Sequence, residues 1–542
     1  MNPDDEWKRG FVKSRAGRAT GKNKSCFNLE DEETKEVSWL DFNIIIWEPI
    51  PSQILITNDD QEAIQIAKLR EIENWQNNEA FVEVERADQK FLSTRWVTTT
   101  KEKDGAMITK ARLCVRGYED AEVDKSKTNS PTCSKETIRA TLAILAASGW
   151  QCRSMDVKSA FLQGKLVERD IFIKPPKEAK TDKLWKLKKA VYGLNEASRH
   201  WYEKVKEELV KLGFSCSKFD EALFYHKSEN KLDGLISLHV DDFLNGGNVI
   251  FDTQIENIKE IFEISSESIA PLLFIGIQIA QDEDGSITIN QDDYARDIEK
   301  IILESRADKT RVLEDEEHYQ YRAAVGQLNW LSSQSRPDLA FDVCQLSTKL
   351  NDPTVRDVSY ANKVIKKAKS LYPIKFTTLG QPMHLLTYCD ASYANLHDGS
   401  SQGGYIIFLA DDDGNVSPVS WCSRKLRRVC KSTEAAETMA MLDAIDASVW
   451  IGTLLDEILS DKMKTPQIVT DNKSLFEAAH STTAVEEKRL RVEIAAIRES
   501  IRKGEVEVKW MPKAKQMADC LTKQGSDTRK LLEVLEDAHI HQ

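Results

Sequence analysis

The sequence lacks the cysteine patterns that bind zinc. Its ten cysteines are scattered over 542 residues and include no C-x-x-C pair and no Cys/His cluster with zinc spacing. Nothing in their spacing points to a structural metal site of the zinc-finger type. We therefore expect reduced thiols in an intracellular protein.

Long apolar runs, low-complexity segments and repeats are also missing. No stretch approaches the length that spans a bilayer, and the N-terminus MNPDDEWKRG lacks the apolar core of a signal peptide. We therefore expect no membrane partner. The composition, 41% hydrophobic and 30% charged, is that of a folded protein, and the length allows roughly three or four domains.

The sequence has fewer basic residues (75) than acidic ones (88), so its net charge is −13. Taken alone, this balance argues against a nucleic-acid partner, although local charge matters more than the sum. Basic residues do cluster in three runs, at residues 7–24, 424–431 and 488–502. Each run has two interpretations, a nucleic-acid contact or an ordinary solvated face.

The stretch LISLHVDDFLNGG, residues 235–247, carries the strongest local signal. Apolar and polar residues alternate up to His239, which is typical of a half-buried strand, and an apolar pair resumes after Asp241 and Asp242. Other adjacent aspartates, at 4–5, 59–60, 292–293 and 411–413, lie in polar surroundings. Because buried carboxylates need a compensating cation, the pair at 241–242 predicts a metal site, with solvated surface charge as the alternative.

The rest of the chain alternates between strand-rich and helix-rich patterns. A hairpin is predicted in residues 81–115 with its turn at Asp104-Gly105, and Lys110, Arg112 and Arg116 would share one face of its second strand. A helix capped by Ser134 and a strand ending at Asp156 follow. From residue 384, three strands, a helix over 433–458 and further strands and helices predict an α/β unit of about 150 residues.

These elements could bring acidic and basic side chains to one place. Asp156 at a strand end and the pair Asp241-Asp242 at a hairpin turn could meet on adjacent strands. Two divalent cations held by carboxylates roughly 3.5–4 Å apart are what nucleotide polymerisation requires. Lys110 and Arg112 are candidates for holding a triphosphate.

Seven motifs, in this order, resemble the reverse transcriptase of Copia-type long-terminal-repeat retrotransposons, from about Trp75 to the end of the chain. They are KARLCVRGYE, MDVKSAFLQG, KAVYGLNEASRHWYEKV, LHVDDFLNGG, LLFIGIQI, YRAAVGQLNWLSSQSRPDLAFDV and LSTKLNDP. The resemblance implies that Asp156 and Asp241 are metal ligands and that Asp242 is the supporting carboxylate. It also implies a triphosphate contact for Lys110 and Arg112.

The resemblance assigns three further residues to substrate binding. Phe161 would stack under the sugar and exclude a 2′-hydroxyl, and Tyr192 and Gly193 would contact the template nucleotide. Core packing is the alternative role for Phe161 and for Tyr192.

The C-terminal unit resembles the ribonuclease H domain of the same elements. Four motifs, TYCDAS, STEAAETMAM, IVTDNKSL and QMADCLTK, supply the predicted metal ligands Asp390, Glu437, Asp471 and Asp519. Glu437 is chosen over Glu434 because its register matches the family better, and Thr433 is the predicted helix cap. The histidine found near the last aspartate in cellular ribonucleases H is missing from EVEVKWMPKAKQMAD.

Two departures from the family pattern affect the expected polymerase site. The usual Tyr-Val-Asp-Asp has His239 in its first position, which makes the protonation state there uncertain. Glu196 places a negative charge where a Lys-Gln-Ser-Pro-Arg segment is common, and we expect that charge to weaken substrate binding.

The resemblance implies an α+β palm-and-fingers polymerase domain followed by an α/β ribonuclease H-like domain. The expected boundaries are 1–74 (unknown role), 75–318 (reverse transcriptase fingers and palm), 319–383 (helical thumb or connection) and 384–542 (ribonuclease H-like domain). The missing protease and zinc-knuckle signatures suggest the 3′ portion of an element, as a processed product or as an isolated reading frame.

The function implied is an RNA-directed DNA polymerase with ribonuclease H activity, using two Mg²⁺ ions per active site, with Mn²⁺ as the substitute. Its partners would be an RNA template, a DNA primer, dNTPs and the RNA–DNA hybrid. The expected location is intracellular and cytoplasmic, in a virus-like particle, with the nucleus as the alternative. Two rivals stay open: a degenerate or domesticated relic that binds nucleic acid without catalysis, and a nuclease whose polymerase is dead.

Overall fold

A computed structural model of the chain describes residues 58–103, 106–122, 128–303, 308–483, 485 and 487–541, and the backbone of three strands nearer the start. Its helices are α1 Asn58–Asn77, α2 Lys135–Ala147, α3 Ala197–Lys211, α4 Val249–Ile261, α5 Asp292–Asp297, α6 Asp315–Gln334, α7 Ala340–Ser347, α8 Val355–Ala368, α9 Thr433–Ile458, α10 Lys473–His480, α11 Arg491–Lys503 and α12 Arg529–Asp537.

The strands are β1 Phe11–Arg15, β2 Cys26–Glu30, β3 Val37–Asp41, β4 Phe81–Val84, β5 Thr94–Lys103, β6 Ala106–Val115, β7 Arg153–Val157, β8 Phe172–Ile173, β9 Leu184–Leu187, β10 Ser215–Cys216, β11 Leu223–Ser228, β12 Lys231–His239, β13 Asp242–Gly247, β14 Ile264–Ile269, β15 Leu272–Phe274, β16 Ile277–Gln281, β17 Ile287–Asn290, β18 Ile374–Phe376, β19 His384–Ser392, β20 Gln402–Ala410, β21 Val416–Lys425, β22 Gln467–Thr470 and β23 Glu507–Trp510. The predicted turn at Asp104-Gly105 and most of the basic run 7–24 lie outside the described residues.

The chain divides into two compact units, each built from separated stretches of sequence. The first unit comprises residues 1–129 and 161–201, and the second comprises residues 130–160 and 202–542. In the first unit, β1, β2 and β3 form one antiparallel sheet and β4, β9 and β8 form another. Its apolar core includes Trp75 and Trp185, both of which are almost fully buried.

The predicted hairpin of the first unit is present as the antiparallel pair β5 and β6. Side chains on opposite faces of a strand alternate, so Ala111 and Leu113 are buried while Lys110 and Arg112 are exposed on the other face. The strand ends at Val115. Arg116, which was predicted to continue the same face, therefore lies just beyond it.

The second unit begins with a six-stranded antiparallel sheet, in the order β10-β11-β12-β13-β7-β14. Helix α2 begins after Ser134, whose hydroxyl accepts a hydrogen bond from the backbone N–H of Thr137, as the sequence predicted. Met155 and Phe243, which are paired across β7 and β13, are buried and anchor the centre of the sheet. This arrangement fixes the register of the strands that carry the candidate acidic residues.

Within the second unit, a helical segment lies along the chain between that sheet and the C-terminal α/β fold. Helices α6, α7 and α8 share a core that includes Tyr321, Leu328 and Ile365, all fully buried. Strands β15, β16, β17 and β18 form a four-stranded antiparallel sheet. The helical character predicted for this region is therefore observed.

The C-terminal α/β fold is a five-stranded sheet in the order β21-β20-β19-β22-β23. The first three strands are antiparallel, whereas β22 and β23 run parallel to β19. Helix α9 occupies 433–458 as predicted, but its cap is Ser432, whose hydroxyl accepts from the N–H of Ala435. The prediction that Thr433 is the cap was therefore wrong by one residue.

Among the described helices, α9 alone is long and apolar enough, by length and composition, to cross a membrane. The sequence analysis had expected no such segment. Half of the apolar window is buried, and Met441 and Ala444 are fully buried in a cluster with Ile468 of β22. The apolar character of α9 is thus accounted for by the core that it forms on the sheet.

Candidate active sites

The first acidic site lies where strands β7 and β13 pair. Asp156 and Asp242 are direct partners in the antiparallel register, so their positions are adjacent across the two strands. Asp241 lies in the two-residue turn between β12 and β13, and its carbonyl accepts a hydrogen bond from the N–H of Val157. The structure thus brings Asp156 together with the pair Asp241-Asp242, which follows it by 85 and 86 positions in the sequence.

The turn that carries Asp241 is conformationally strained. Val240, the other turn residue, has φ of +58°, a left-handed conformation that is rare for a β-branched residue. Such conformations cost about 1–3 kcal/mol and persist where the surrounding structure enforces them. Here the pairing of His239 with Asp242 closes the hairpin and holds the turn.

The electrostatics of this site favour a bound cation. Burial, with the charges of Asp241 and Asp156, raises the pKa of Asp242 to about 7. The hydroxyl of Ser265 donates to Asp156. Hard oxygen ligands that repel each other are suited to a divalent cation such as Mg²⁺, so the residues present fit the metal that the family resemblance implies.

His239 lies beside these carboxylates at the end of β12 and is half-buried. Burial lowers the pKa of His239 below its ordinary value, so the imidazole is neutral at physiological pH. A neutral side chain in this position is electrostatically closer to the tyrosine of the usual motif than an imidazolium would be.

In the first unit, three of the predicted substrate-binding residues form one cluster. The ring centroids of Tyr192 and Phe161 are 5.1 Å apart. The guanidinium of Arg112 lies 5.9 Å from the centroid of the Tyr192 ring. The N–H of Val115, at the end of β6, donates to the carbonyl of Tyr192 over 2.8 Å. The strand that carries Lys110 and Arg112 is thereby tied to the Tyr192 segment.

Gly193 is required by this close approach of two backbones. Its φ is +92°, and a Cβ built on it would lie 2.0 Å from the carbonyl oxygen of Val115. Any side chain would therefore both strain the backbone and break the contact with β6. The role of Gly193 in template binding stays a prediction, but its structural role is clear.

Glu196 does not present a negative charge to solvent, contrary to the expectation. Its side chain is buried, and its carboxylate pairs with the guanidinium of Arg169 over 2.8 Å. Arg169 also pairs with Asp120. Because the charge of Glu196 is neutralised within the first unit, the predicted weakening of substrate binding loses its physical basis.

The second acidic site lies at the edge of the C-terminal sheet. Asp390 is near the end of β19, Asp471 follows β22 directly, and Glu437 lies one turn into α9. Among the described residues, these three form the group of acidic side chains whose ligand atoms all lie within 4.8 Å of one another. Glu434 is half-exposed and is not part of the group.

Burial makes this cluster electrostatically unstable when all of its members are ionised. Burial, followed by the nearby charges of Asp390 and Asp471, raises the pKa of Glu437 to about 9. Burial also raises the pKa of Asp390 to about 6, although Lys523 and Thr522 oppose that shift. A divalent metal ion would relieve this repulsion, so the donor set fits such an ion.

The fourth predicted ligand, Asp519, is not brought into the cluster. It lies in a 3-10 helix, Ala518–Leu521, and its carboxylate is paired with the ammonium of Lys523. The same ammonium lies 3.2 Å from Asp390 Oδ2. The hydroxyl of Thr522 donates a hydrogen bond to Asp390. The sequence analysis predicted a role for neither Thr522 nor Lys523. Both lie in the quoted motif QMADCLTK, and the spacing of four residues between Asp519 and Lys523 was the available signal.

Comparison with known proteins identifies the family to which the chain belongs. The family model for reverse transcriptase (RNA-dependent DNA polymerase) matches residues 78–310. A Ty5-1 transposon protein from Saccharomyces cerevisiae is 30% identical over 316 residues, covering 52% of this chain and 96% of the yeast protein. The chain belongs to the Copia-type reverse transcriptase family. The resemblance inferred from the sequence is therefore confirmed, and the chain carries a reverse transcriptase domain.

Two retrovirus-related Pol polyproteins of Arabidopsis thaliana, from transposons RE1 and RE2, are each 28% identical to this Copia-type chain, over 81% and 80% of its length. The chain spans 31% of each polyprotein. Among solved structures, the foamy viral protease-reverse transcriptase with an RNA/DNA hybrid matches with a TM-score of 0.49 at 12% identity, over 88% of this chain and 56% of that one.

The predicted fold class is confirmed, with α+β palm and fingers before an α/β ribonuclease H-like domain. The predicted domain boundaries and the roles of the site residues stay predictions.

Proposed function

We propose that this chain is an RNA-directed DNA polymerase with ribonuclease H activity, with one active site in the antiparallel sheet and another at the C-terminal sheet edge. The observation that carries the proposal is the register of β7 and β13, which sets Asp156 against Asp242 beside the turn that carries Asp241. No fold requirement explains two carboxylates paired across neighbouring strands with a third in the adjoining turn, and their mutual repulsion costs stability.

In the polymerase site, Asp156 and Asp241 would hold two Mg²⁺ ions, with Asp242 supporting them. Bound divalent cations supply charge neutralisation at the triphosphate and lower the pKa of the primer 3′-hydroxyl. The protein's part is positional: strained backbone at Val240 fixes the direction of Asp241, and Ser265 orients Asp156. Lys110 and Arg112 would bind the triphosphate of the incoming dNTP, as the family resemblance implies.

In the ribonuclease H site, Asp390, Glu437 and Asp471 would hold the metal that activates water for attack on an RNA phosphodiester. Their spacing within 4.8 Å supports this, as does the raised pKa of Glu437, which a divalent cation would reverse. Selectivity for RNA would come from contacts to the 2′-hydroxyl. Asp519 would join as a fourth ligand in the substrate-bound state.

The partners proposed are an RNA template, a DNA primer, dNTPs and the RNA–DNA hybrid, with Mn²⁺ able to replace Mg²⁺. The proposed location is the cytoplasm, in a virus-like particle. Family membership supports the nucleic-acid partners, and the cluster of Asp390, Glu437 and Asp471 supports a divalent metal.

The decisive experiment measures two activities on the full chain: primer extension on a homopolymer RNA template, and cleavage of RNA in a hybrid, each with Mg²⁺ and with Mn²⁺. Asp241→Asn should abolish extension and leave cleavage intact, whereas Glu437→Gln should abolish cleavage and leave extension intact. Glu434→Gln and Asp413→Asn, an exposed aspartate of the 411–413 run, serve as matched controls and should retain both activities.

The outcomes separate the proposal from its rivals. Wild-type protein that binds the hybrid but shows neither activity would identify a relic. Cleavage without extension would identify a nuclease with a dead polymerase. Cleavage that survived Glu437→Gln and was lost with Glu434→Gln would assign the catalytic role to Glu434, about one turn earlier in α9.

A further inference from the structure

Lys523 is the one basic residue that the described structure places on two of the predicted ligands of the ribonuclease H-like site. Its ammonium lies 3.2 Å from Asp390 Oδ2 and is also paired with the carboxylate of Asp519. The side chain is largely shielded from solvent, with 30% of its surface exposed.

The position of Lys523 explains why only three acids gather in this site. The cluster within 4.8 Å contains Asp390, Glu437 and Asp471 but not Asp519, whose carboxylate the ammonium engages instead. Asp519 is the predicted ligand that remains for a second divalent cation, and Asp390 is the member of the cluster that Lys523 connects to it. Those are the two carboxylates that Lys523 contacts.

We propose that Lys523 is a built-in counter-cation that takes the place of the second metal ion, so that the substrate-free site binds one divalent cation rather than two. This inference rests on the proposed ribonuclease H function of the cluster. Lys523 is a positioning residue: it aligns Asp390 and Asp519 and neutralises their charge. Electrostatics supply the reason, because a carboxylate pair already neutralised by an ammonium attracts a further cation weakly.

The test is the stoichiometry of Mn²⁺ binding to the full chain, measured by electron paramagnetic resonance of free Mn²⁺ and by calorimetry. Asp156→Asn with Asp241→Asn provides the background, so that the polymerase site does not contribute to the count. In this background the unsubstituted Lys523 protein should bind one Mn²⁺. Lys523→Met should bind two, and Lys523→Arg, which keeps the positive charge, should again bind one.

Lys503→Met is the matched control, since Lys503 pairs with Glu499 on the exposed face of α11. It should leave the count at one. Thermal melting of every variant verifies that it is folded, and the count for the unsubstituted Lys523 protein is informative even where a variant does not fold.

Two Mn²⁺ ions with Lys523 intact, or one with Lys523→Met, would overturn the inference while leaving the ribonuclease H proposal in place. A failure of both proteins to bind Mn²⁺ would instead overturn the proposed metal site, and the inference with it. A purely structural role for Lys523 would lower the melting temperature in Lys523→Met without changing the number of ions bound.

Discussion

The guanidinium of Arg139 lies 3.8 Å from the centroid of the Trp421 ring, in the interior of the second unit. Arg139 belongs to α2 and is 2% exposed, and Trp421 belongs to β21 of the C-terminal sheet. The Arg139 Nε donates to the carbonyl of Val419 over 2.9 Å, and its Nη1 donates to that of Ser333 over 2.8 Å. One side chain thus connects the helix beside the polymerase sheet, the end of α6 and the ribonuclease H-like sheet.

Removing this connection should destabilise the second unit as a whole. We expect Arg139→Ala to lower the free energy of unfolding by about 2–5 kcal/mol, because it leaves buried carbonyls without donors and a cavity against Trp421. Arg139→Lys should cost less, because it keeps the charge but not the two-pronged hydrogen bonding. Urea denaturation measures both.

The control is Arg296→Ala, which removes an exposed guanidinium paired with Asp293 and should cost at most about 1 kcal/mol. An Arg139→Ala protein as stable as this control would show that the contact contributes nothing to the association of the three elements.

The metal-free ribonuclease H-like site should make the protein less stable as pH rises. Glu437 has an ordinary pKa of 4.5 that burial raises to about 9, so between these pH values the folded state keeps a proton that the unfolded state has released. Raising pH through this window therefore lowers the free energy of unfolding, by up to about 1.4 kcal/mol per pH unit. Asp390, with its pKa raised to about 6, adds to the same trend at lower pH.

The measurement is urea denaturation in EDTA at pH values from 5 to 9, comparing wild type with Glu437→Gln. The difference in stability should shift in favour of the glutamine variant as pH rises. Excess Mg²⁺ should reduce the slope, since bound metal replaces the proton. Parallel curves for wild type and Glu437→Gln would contradict the raised pKa.

A Phe161 variant can distinguish the two roles predicted for this residue, a substrate contact and core packing. Its ring is half-buried, contacts Tyr192 and packs against the core of the first unit, so both roles are compatible with its place. If it excludes the 2′-hydroxyl, Phe161→Val should raise incorporation of ribonucleotides relative to dNTPs. If it only packs, the variant should lose about 1–3 kcal/mol of stability with unchanged sugar selectivity.

Selectivity and melting temperature measured on the same samples distinguish these roles. Phe81→Val is the control, since Phe81 stacks on Trp185 with centroids 3.8 Å apart and has no predicted substrate role. It should lose stability without admitting ribonucleotides.

Hybrid binding should be salt-sensitive although the net charge is −13. In the basic run 424–431, Arg424 pairs with Asp443, Lys425 with Asp398 and Arg428 with Glu493. Arg427 and Lys431 are the remaining exposed candidates for phosphate contacts. We expect Arg427→Ala to reduce the slope of log affinity against log salt by about 1, while Lys503→Ala leaves it unchanged. Affinity that is flat as salt rises would contradict this role.

Local signals were sufficient to predict much of the fold and of both sites. The alternation in residues 235–247 predicted the hairpin that carries Asp241, because side-chain burial on a strand has a period of two. The sequence also predicted that Asp156 would meet the aspartate pair on an adjacent strand, which the register of β7 and β13 reproduces. Register against the family favoured Glu437 over Glu434, and Glu437 is the residue in the cluster.

What the sequence did not reveal depends on partners that are distant along the chain. Lys523 contacts Asp390 across 133 positions, and the charge of Glu196 is neutralised by Arg169, which no motif connects to it. Nothing in the sequence near Arg139 indicates its contact with Trp421. Strands β1, β2 and β3 were missed because five-residue strands with mixed polarity lack a clear period.

The central position of β7 constrains how the chain can fold while it is being synthesised. Strand β7 ends at Val157, yet its neighbours β13 and β14 are completed only at Gly247 and Ile269. At about 5–20 residues per second, the nascent β7 waits on the ribosome for several seconds with both edges unpaired. During that interval we expect the apolar side chains of Met155 and Val157 to be accessible to chaperones and to incorrect strands.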